Sequence, residues 1–125
     1  LGDTLKGNSE ANVIEAGRGD DKIIGLGGDT LDGGDDSDTL DYSDFASGVN
    51  LTLDGSNEVT VTGSDDKIKN IENVLGTSQS DTLIGDSKDN TLLGNGADDT
   101  IEGGVGNDDL QGGAGTDTLS FEHAE

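Results

Sequence analysis

The sequence predicts an all-β repeat fold, in which short strands are joined by glycine-rich turns. Three observations carry this reading. Apolar residues recur about every nine positions, an acid or Asn stands two positions before each of them, and 22 glycines fall between the rungs. In the first part the rungs are Leu5, Ile14, Ile23, Leu31 and Leu40, led by Asp3, Asn12, Asp21, Asp29 and Asp38. In the second part they are Val74, Leu83, Leu92, Ile101, Leu110 and Leu119, led by Glu72, Asp81, Asn90, Asp99, Asp108 and Asp117. Every step is nine except one of eight, in "GLGGDTLD". A fixed period of this kind marks stacked structural repeats.

Each part of the unit has a physical role. Written G-G-x-G-x-D-x-U-x, with U apolar, it is clearest in "AGRGDDKII" (16–24), "GGVGNDDLQ" (103–111) and "GGAGTDTLS" (112–120). The last three residues are β-leaning, with Thr common before the rung, and make one brief strand whose central side chain points inward. The first six make a turn. Glycines there allow positive φ and let carbonyls crowd toward one point, and the sixth-position Asp adds a carboxylate. Carbonyls plus carboxylates form an oxygen cage for a hard cation, and Ca²⁺ suits it at about 2.3–2.6 Å.

Composition sets the outer limits. The 125 residues carry a net charge of −22, and only Tyr42, Phe45 and Phe121 are aromatic. Such a composition alone reads as disorder, and the register of the rungs overrules it. The acid excess excludes nucleic acid and anionic membranes as partners and favours cations. No apolar run approaches membrane-spanning length, and the absence of Cys rules out a disulfide scaffold. No signal peptide opens the chain and residue 1 falls inside a repeat, so we read it as an excerpt of a longer protein.

These units resemble the RTX (repeats-in-toxin) hemolysin-type calcium-binding nonapeptide family. The resemblance covers 1–41 and 70–120. It implies a right-handed parallel β-roll, a β-solenoid in which two repeats make one coil and repeat n stacks on repeat n+2. Ca²⁺ would sit between turns on the same edge. One edge of the second block would then stack Asp81, Asp99 and Asp117, and the other Glu72, Asn90 and Asp108. In the first block Asp3, Asp21 and Asp38 would share an edge, with Asn12 and Asp29 opposite.

The resemblance also assigns carbonyl ligands. Between Asp99 and Asp117 these are Asn95, Ala97, Gly112 and Ala114. Between Asp81 and Asp99 they are Thr77, Gln79, Gly94 and Gly96, and Gly103 and Val105 serve beside Asp108. Asn12 and Asn90 put a neutral oxygen where Asp is expected, so their sites are weaker. The eight-residue step is expected to disturb the Asp21/Asp38 site. About four to six ions are expected, with Asp81/Asp99 and Asp99/Asp117 the most secure sites. Five or so coils spaced about 4.8 Å would give a body about 25 Å long around a thin core made of the ladder itself.

Residues 42–69 break the period. Alternation by two at Val49, Leu51, Leu53 and Val59, Val61 around "DGSN" predicts a β-hairpin insertion, followed by a strand or turn through Ile68 and Ile71. This hairpin is expected to cover an outer face bearing Leu75 and Leu93. Phe121 would cap the core end in a tail over 121–125, and Tyr42 and Phe45 would cap the first block. Glu10, Glu58, Asp65, Asp66 and Glu122 lie off the ligand phase and read as solvated.

Other chemistries find little support. Arg18-Gly19-Asp20 lies inside a strict repeat that already explains Gly19, and Asn50-Leu51-Thr52 reads as strand rather than glycosylation site. His123 is the only His, so neither a catalytic zinc site nor a Ser/His/Asp triad is indicated. The expected function is a calcium-binding module of a secreted bacterial protein, extracellular or at the cell surface, exported by type I machinery and folding on Ca²⁺ outside. The alternatives are a polysaccharide-binding or adhesin module and a non-catalytic region of a secreted toxin or enzyme.

Overall fold

A computed structural model describes residues 2–121. Among these there is no helix. The strands are β1 (Thr4–Lys6), β2 (Val13–Glu15), β3 (Lys22–Ile24), β4 (Thr30–Asp32), β5 (Thr39–Asp41), β6 (Asn50–Thr52), β7 (Val59–Thr60), β8 (Lys67–Lys69), β9 (Asn73–Leu75), β10 (Thr82–Ile84), β11 (Thr91–Leu93), β12 (Thr100–Glu102), β13 (Asp109–Gln111) and β14 (Thr118–Ser120). Most are three residues long because the glycine-bearing turn on either side leaves room for no more.

Strands pair parallel with the strand two repeats away, as a roll requires. Leu5 stands beside Ile23, Ile23 beside Leu40, Leu83 beside Ile101 and Leu92 beside Leu110. One wall is a six-stranded sheet in the order β1-β3-β5-β9-β11-β13. The opposite wall comprises β2-β4-β8-β7 and β14-β12-β10-β6. The chain is therefore a parallel β-solenoid of about six coils, one more than the sequence suggested. The interruption does not split it in two, since Leu40 of β5 pairs directly with Val74 of β9.

The ladder forms the core, as expected, over its middle length. Ile23, Leu31, Leu40, Val74, Leu83, Leu92 and Ile101 are fully buried. Its ends differ: Leu5, Ile14 and Leu110 are half-buried and Leu119 is 45% exposed. A rung at the end of a stack has a neighbour on one side only.

The interruption is built into the roll rather than laid on it. Val49, Leu51, Leu53, Val61, Ile68 and Ile71 all join the buried core. β6 pairs parallel with β10, so Leu51 takes a rung beside Leu83. β8 pairs parallel with β4, so Ile68 takes a rung beside Leu31. The "DGSN" turn is present, with Asn57 N donating to Asp54 O at 3.0 Å. The expected hairpin survives only as an antiparallel bridge between Asn50 and Thr62, and the tight antiparallel pair is β7 with β8. Leu75 and Leu93 do share an outer face, but they border an open groove with Thr39 and Thr91. The insertion's apolar side chains go inward because a free strand edge at β10 satisfies their backbone amides, which an outer face does not.

The aromatic residues also lie elsewhere than foreseen. Tyr42 is fully buried inside the interruption, with the Phe45 ring 5.7 Å away. Phe121 is 53% exposed and borders Asp89 to Thr91 and Gly106 to Asp109 on a turn edge, leaving Leu119 open. The remaining tail, with Glu122 and His123, lies outside the described residues.

Candidate metal centres

The sixth-position acids stack on the two edges in the predicted order, and each uses one oxygen in the same way. Oδ1 accepts the backbone N–H of the equivalent residue one coil earlier. Asp21 Oδ1 takes Asp3 N at 2.6 Å, Asp38 Oδ1 takes Asp21 N at 2.9 Å, Asp99 Oδ1 takes Asp81 N at 2.8 Å and Asp117 Oδ1 takes Asp99 N at 2.9 Å. Asn90 N donates to Asp108 Oδ1 at 2.9 Å, and Asn12 N to Asp29 Oδ1 at 2.8 Å. A second column escaped sequence reading. The fifth-position acids Asp20, Asp89 and Asp98 accept from Ser37 N, Asn107 N and Thr116 N. Their spacing of 17 or 18 from those partners was the available signal.

The other oxygen divides the acids into two groups. Oδ2 of Asp21, Asp29, Asp38, Asp99 and Asp108 is buried with no hydrogen-bond partner. A buried carboxylate oxygen without donor or cation is costly. Burial pushes the Asp38 and Asp99 carboxyls up to about 6, against the lowering effect of the Asp21 and Asp81 amides, and neighbouring acids add to the rise. These oxygens face the next coil. A β-carbon on Gly94 would lie 2.6 Å from the Gly112 carbonyl oxygen and collide with Asp99 Oδ2. Glycine is needed there because the carboxylate and the carbonyl converge on that point. The donor set is all oxygen and suits a hard cation.

The turn backbone follows the same division. Positions two and four are left-handed in the strict turns, at Gly104 and Gly106 (φ 88° and 123°) and at Gly113 and Gly115 (φ 88° and 110°). Turn 94–99 keeps that shape with Asn95 and Ala97 at φ 82° and 68°. Gly112 is buried, Gly96 half-buried and Ala114 exposed. Asn95 O already accepts Ala114 N at 3.0 Å, which leaves one lone pair of that carbonyl. In turn 103–108, Val105 N donates to Asp86 O at 3.2 Å and Gly103 N to Ser120 O at 3.0 Å. The turns ending in Asp21 and Asp38 stack as complete six-residue turns. The missing residue of the eight-residue step falls on the opposite edge, in 25–29.

Three other turns satisfy their own polar groups. In turn 76–81, Thr77 N donates to Asp81 Oδ2 at 2.8 Å and Thr77 Oγ1 accepts Gln79 N at 2.9 Å. In turn 7–12, Asn8 N donates to Asn12 Oδ1 and Asn8 Oδ1 accepts Glu10 N. In turn 85–90, Asp86 N donates to Asn90 Oδ1 and Asp86 Oδ1 accepts Lys88 N. Each is a side-chain turn closed by its second residue. Asp66, expected to be solvated, is fully buried. It stands two before the rung Ile68, takes Asp29 N on Oδ1 at 2.7 Å and the Tyr42 hydroxyl on Oδ2 at 2.6 Å. Glu10, Glu58 and Asp65 are exposed, as expected.

Among the described residues no three acidic, His or Cys side chains converge, so a cation here must draw on backbone carbonyls as well as paired carboxylates. No curated protein matches the chain. The family model of the RTX calcium-binding nonapeptide repeat (4 copies) matches residues 2–29, 75–110 and 93–121. These matches take in more than half of the chain, and the protein belongs to that family.

Proposed function

We propose that this calcium-binding β-roll module is the folding switch of a secreted bacterial protein, largely unfolded where free Ca²⁺ is scarce and folded outside the cell. The observation that carries the reading is the set of five buried Oδ2 atoms without a donor. Bound Ca²⁺ supplies the positive charge that lets such carboxylates stay ionised when buried. Asp38 and Asp99 hold their backbone neighbours with Oδ1 and keep Oδ2 free for that charge. An ion that binds only the stacked form stabilises it by about 2.7 kcal/mol when present at about 100 times its dissociation constant. The unfolded chain, at −22, is held open by self-repulsion.

The pairs Asp21/Asp38 and Asp99/Asp117 are the best sites, since both turns of each pair are open. Asp81/Asp99 ranks below them because Asp81 Oδ2 is already taken by Thr77 N. The module is structural and carries no chemistry of its own; type I export and an extracellular or surface location fit a chain that must stay unfolded until calcium is met. Far-UV circular dichroism of the EDTA-stripped chain tests this. A gain of most of the β signal with Ca²⁺ and not with Mg²⁺ is expected. A chain fully β-rich in EDTA would sink the switch and move a polysaccharide- or surface-binding role ahead.

A further inference from the structure

The oxygen that faces the next coil is an orphan at Asp21, Asp29, Asp38, Asp99 and Asp108, whereas four consecutive levels leading into β8 to β11 each give it a partner. At Asp66 the partner is the Tyr42 hydroxyl, at Asp81 the Thr77 amide and at Asn90 the Asp86 amide. Glu72 is the remaining case and the most informative. It is 6% exposed and occupies a sixth position. Its Oε2 accepts Asp38 N at 3.0 Å, as the other acids accept with Oδ1. Its Oε1, the counterpart of the orphaned Oδ2, meets Lys88 Nζ at 3.1 Å. Lys88 sits at position four of the very turn stacked beneath. Asn90 Nδ2 completes the level by donating to the Glu72 carbonyl at 2.9 Å.

We propose that Lys88 is a tethered cation that holds the Glu72 level closed in place of calcium, so that the middle coils form a metal-independent nucleus for metal-dependent flanks. The inference rests on the calcium reading of the outer turns. Charge and hydrogen-bond chemistry support it together. A buried carboxylate needs a cation or donors, and this level supplies an ammonium and an amide N–H₂ where the outer levels supply neither. Glu72 also meets the Asp38 amide and Asn90, and the Asp38 carboxylate lies close enough for the two acids to repel each other. Fully satisfied turns at 76–81 and 85–90 extend the same design to β10 and β11.

Ion counting on the calcium-saturated full chain, with thermal midpoints in EDTA and in Ca²⁺, tests the proposal. E72Q is expected to bind as many ions as the wild type. E72Q and K88M should each lower the EDTA midpoint, by on the order of 3–5 °C, and the double variant should lose less than the sum. Amide exchange in EDTA should run at least about ten-fold slower in β8 to β11 than in β1 to β3 and β12 to β14. One ion fewer in E72Q, additive midpoints, or equal exchange along the whole roll would each overturn it. If E72Q does not fold, exchange in the wild type and the count in K88M still decide, a lost ion in K88M counting against the proposal. A wild-type chain that takes up no Ca²⁺ defeats the switch reading instead, and the Glu72–Lys88 coupling is then judged from the EDTA midpoints alone.

Discussion

Asp81 and Asp99 stand one above the other on the same edge, eighteen residues apart, each almost wholly buried. Their turns have the same length and each ends in Asp-Thr followed by the rung, yet they are different devices. Turn 76–81 closes on itself through Thr77, which gives Asp81 Oδ2 a backbone donor at 2.8 Å. Turn 94–99 opens through the left-handed Asn95 and Ala97 and leaves Asp99 Oδ2 facing the Gly112 carbonyl. The difference lies in the second residue of the turn. A side chain that can accept the fourth residue's amide closes the turn, and a left-handed backbone there opens it. The two solutions relieve the same burial problem, one with a proton donor in the chain and one with a cation from outside.

The largest test of this contrast is steric. G94A places a methyl against Asp99 Oδ2 and the Gly112 carbonyl, and should cost about 3 kcal/mol, read as a lower denaturation midpoint in Ca²⁺. Next come two isosteric amides. D99N should weaken calcium binding and lose about 2.7 kcal/mol of calcium-linked stability, while gaining stability in EDTA because a buried charge is gone. D81N should lose about 1–3 kcal/mol alike with and without calcium, since its amide N–H₂ then faces Thr77 N–H. Matching behaviour of the two variants would erase the distinction between the turns.

Acidity probes the open turns alone. Asp38 and Asp99 titrate near 6 in the folded chain against an ordinary 3.8. A raised carboxyl stabilises the folded state fully below the ordinary value and loses that contribution as pH rises through about 6. Metal-free chain should therefore gain about 2 kcal/mol per group between pH 7 and pH 4. In Ca²⁺ the trend should reverse, because protons compete for the ligand oxygens. Midpoints measured across that range in both media decide it. Smaller again, T77V removes the hydroxyl that serves Gln79 N and Asp81 Oδ1 and should cost about 1–2 kcal/mol in either medium. A97G should add about 1 kcal/mol by relieving a left-handed alanine, measured by the same denaturation.

Much of the molecule was legible because period and chemistry coincide. The nine-residue phase located eleven rungs, and the strand pairing along each edge follows from it. Asp66 was missed although it stands two before Ile68, because the phase is lost across 42–65 and nothing local restores it. The Asp21/Asp38 pair looked disturbed because a one-residue deletion was counted along the chain, whereas stacking places it on the other edge. Thr77 and Gln79 were assigned as carbonyl ligands by position. What position did not reveal is that the Thr77 amide and hydroxyl close the turn on Asp81 and Gln79, because the repeat spacing does not specify the side chain at the second position.

By itself the sequence determined the repeat, the inward rungs, the acid at the sixth position and the preference for a hard cation, since each follows from local periodicity and the chemistry of one side chain. Only the tertiary structure decided which buried oxygens keep a partner, where the interruption's strands insert, and that Lys88 reaches Glu72 from the neighbouring coil. Apart from the bonds that close turns 76–81 and 85–90 on themselves, those are contacts between residues sixteen or more positions apart in the chain, and burial sets their strength only once the coils are stacked.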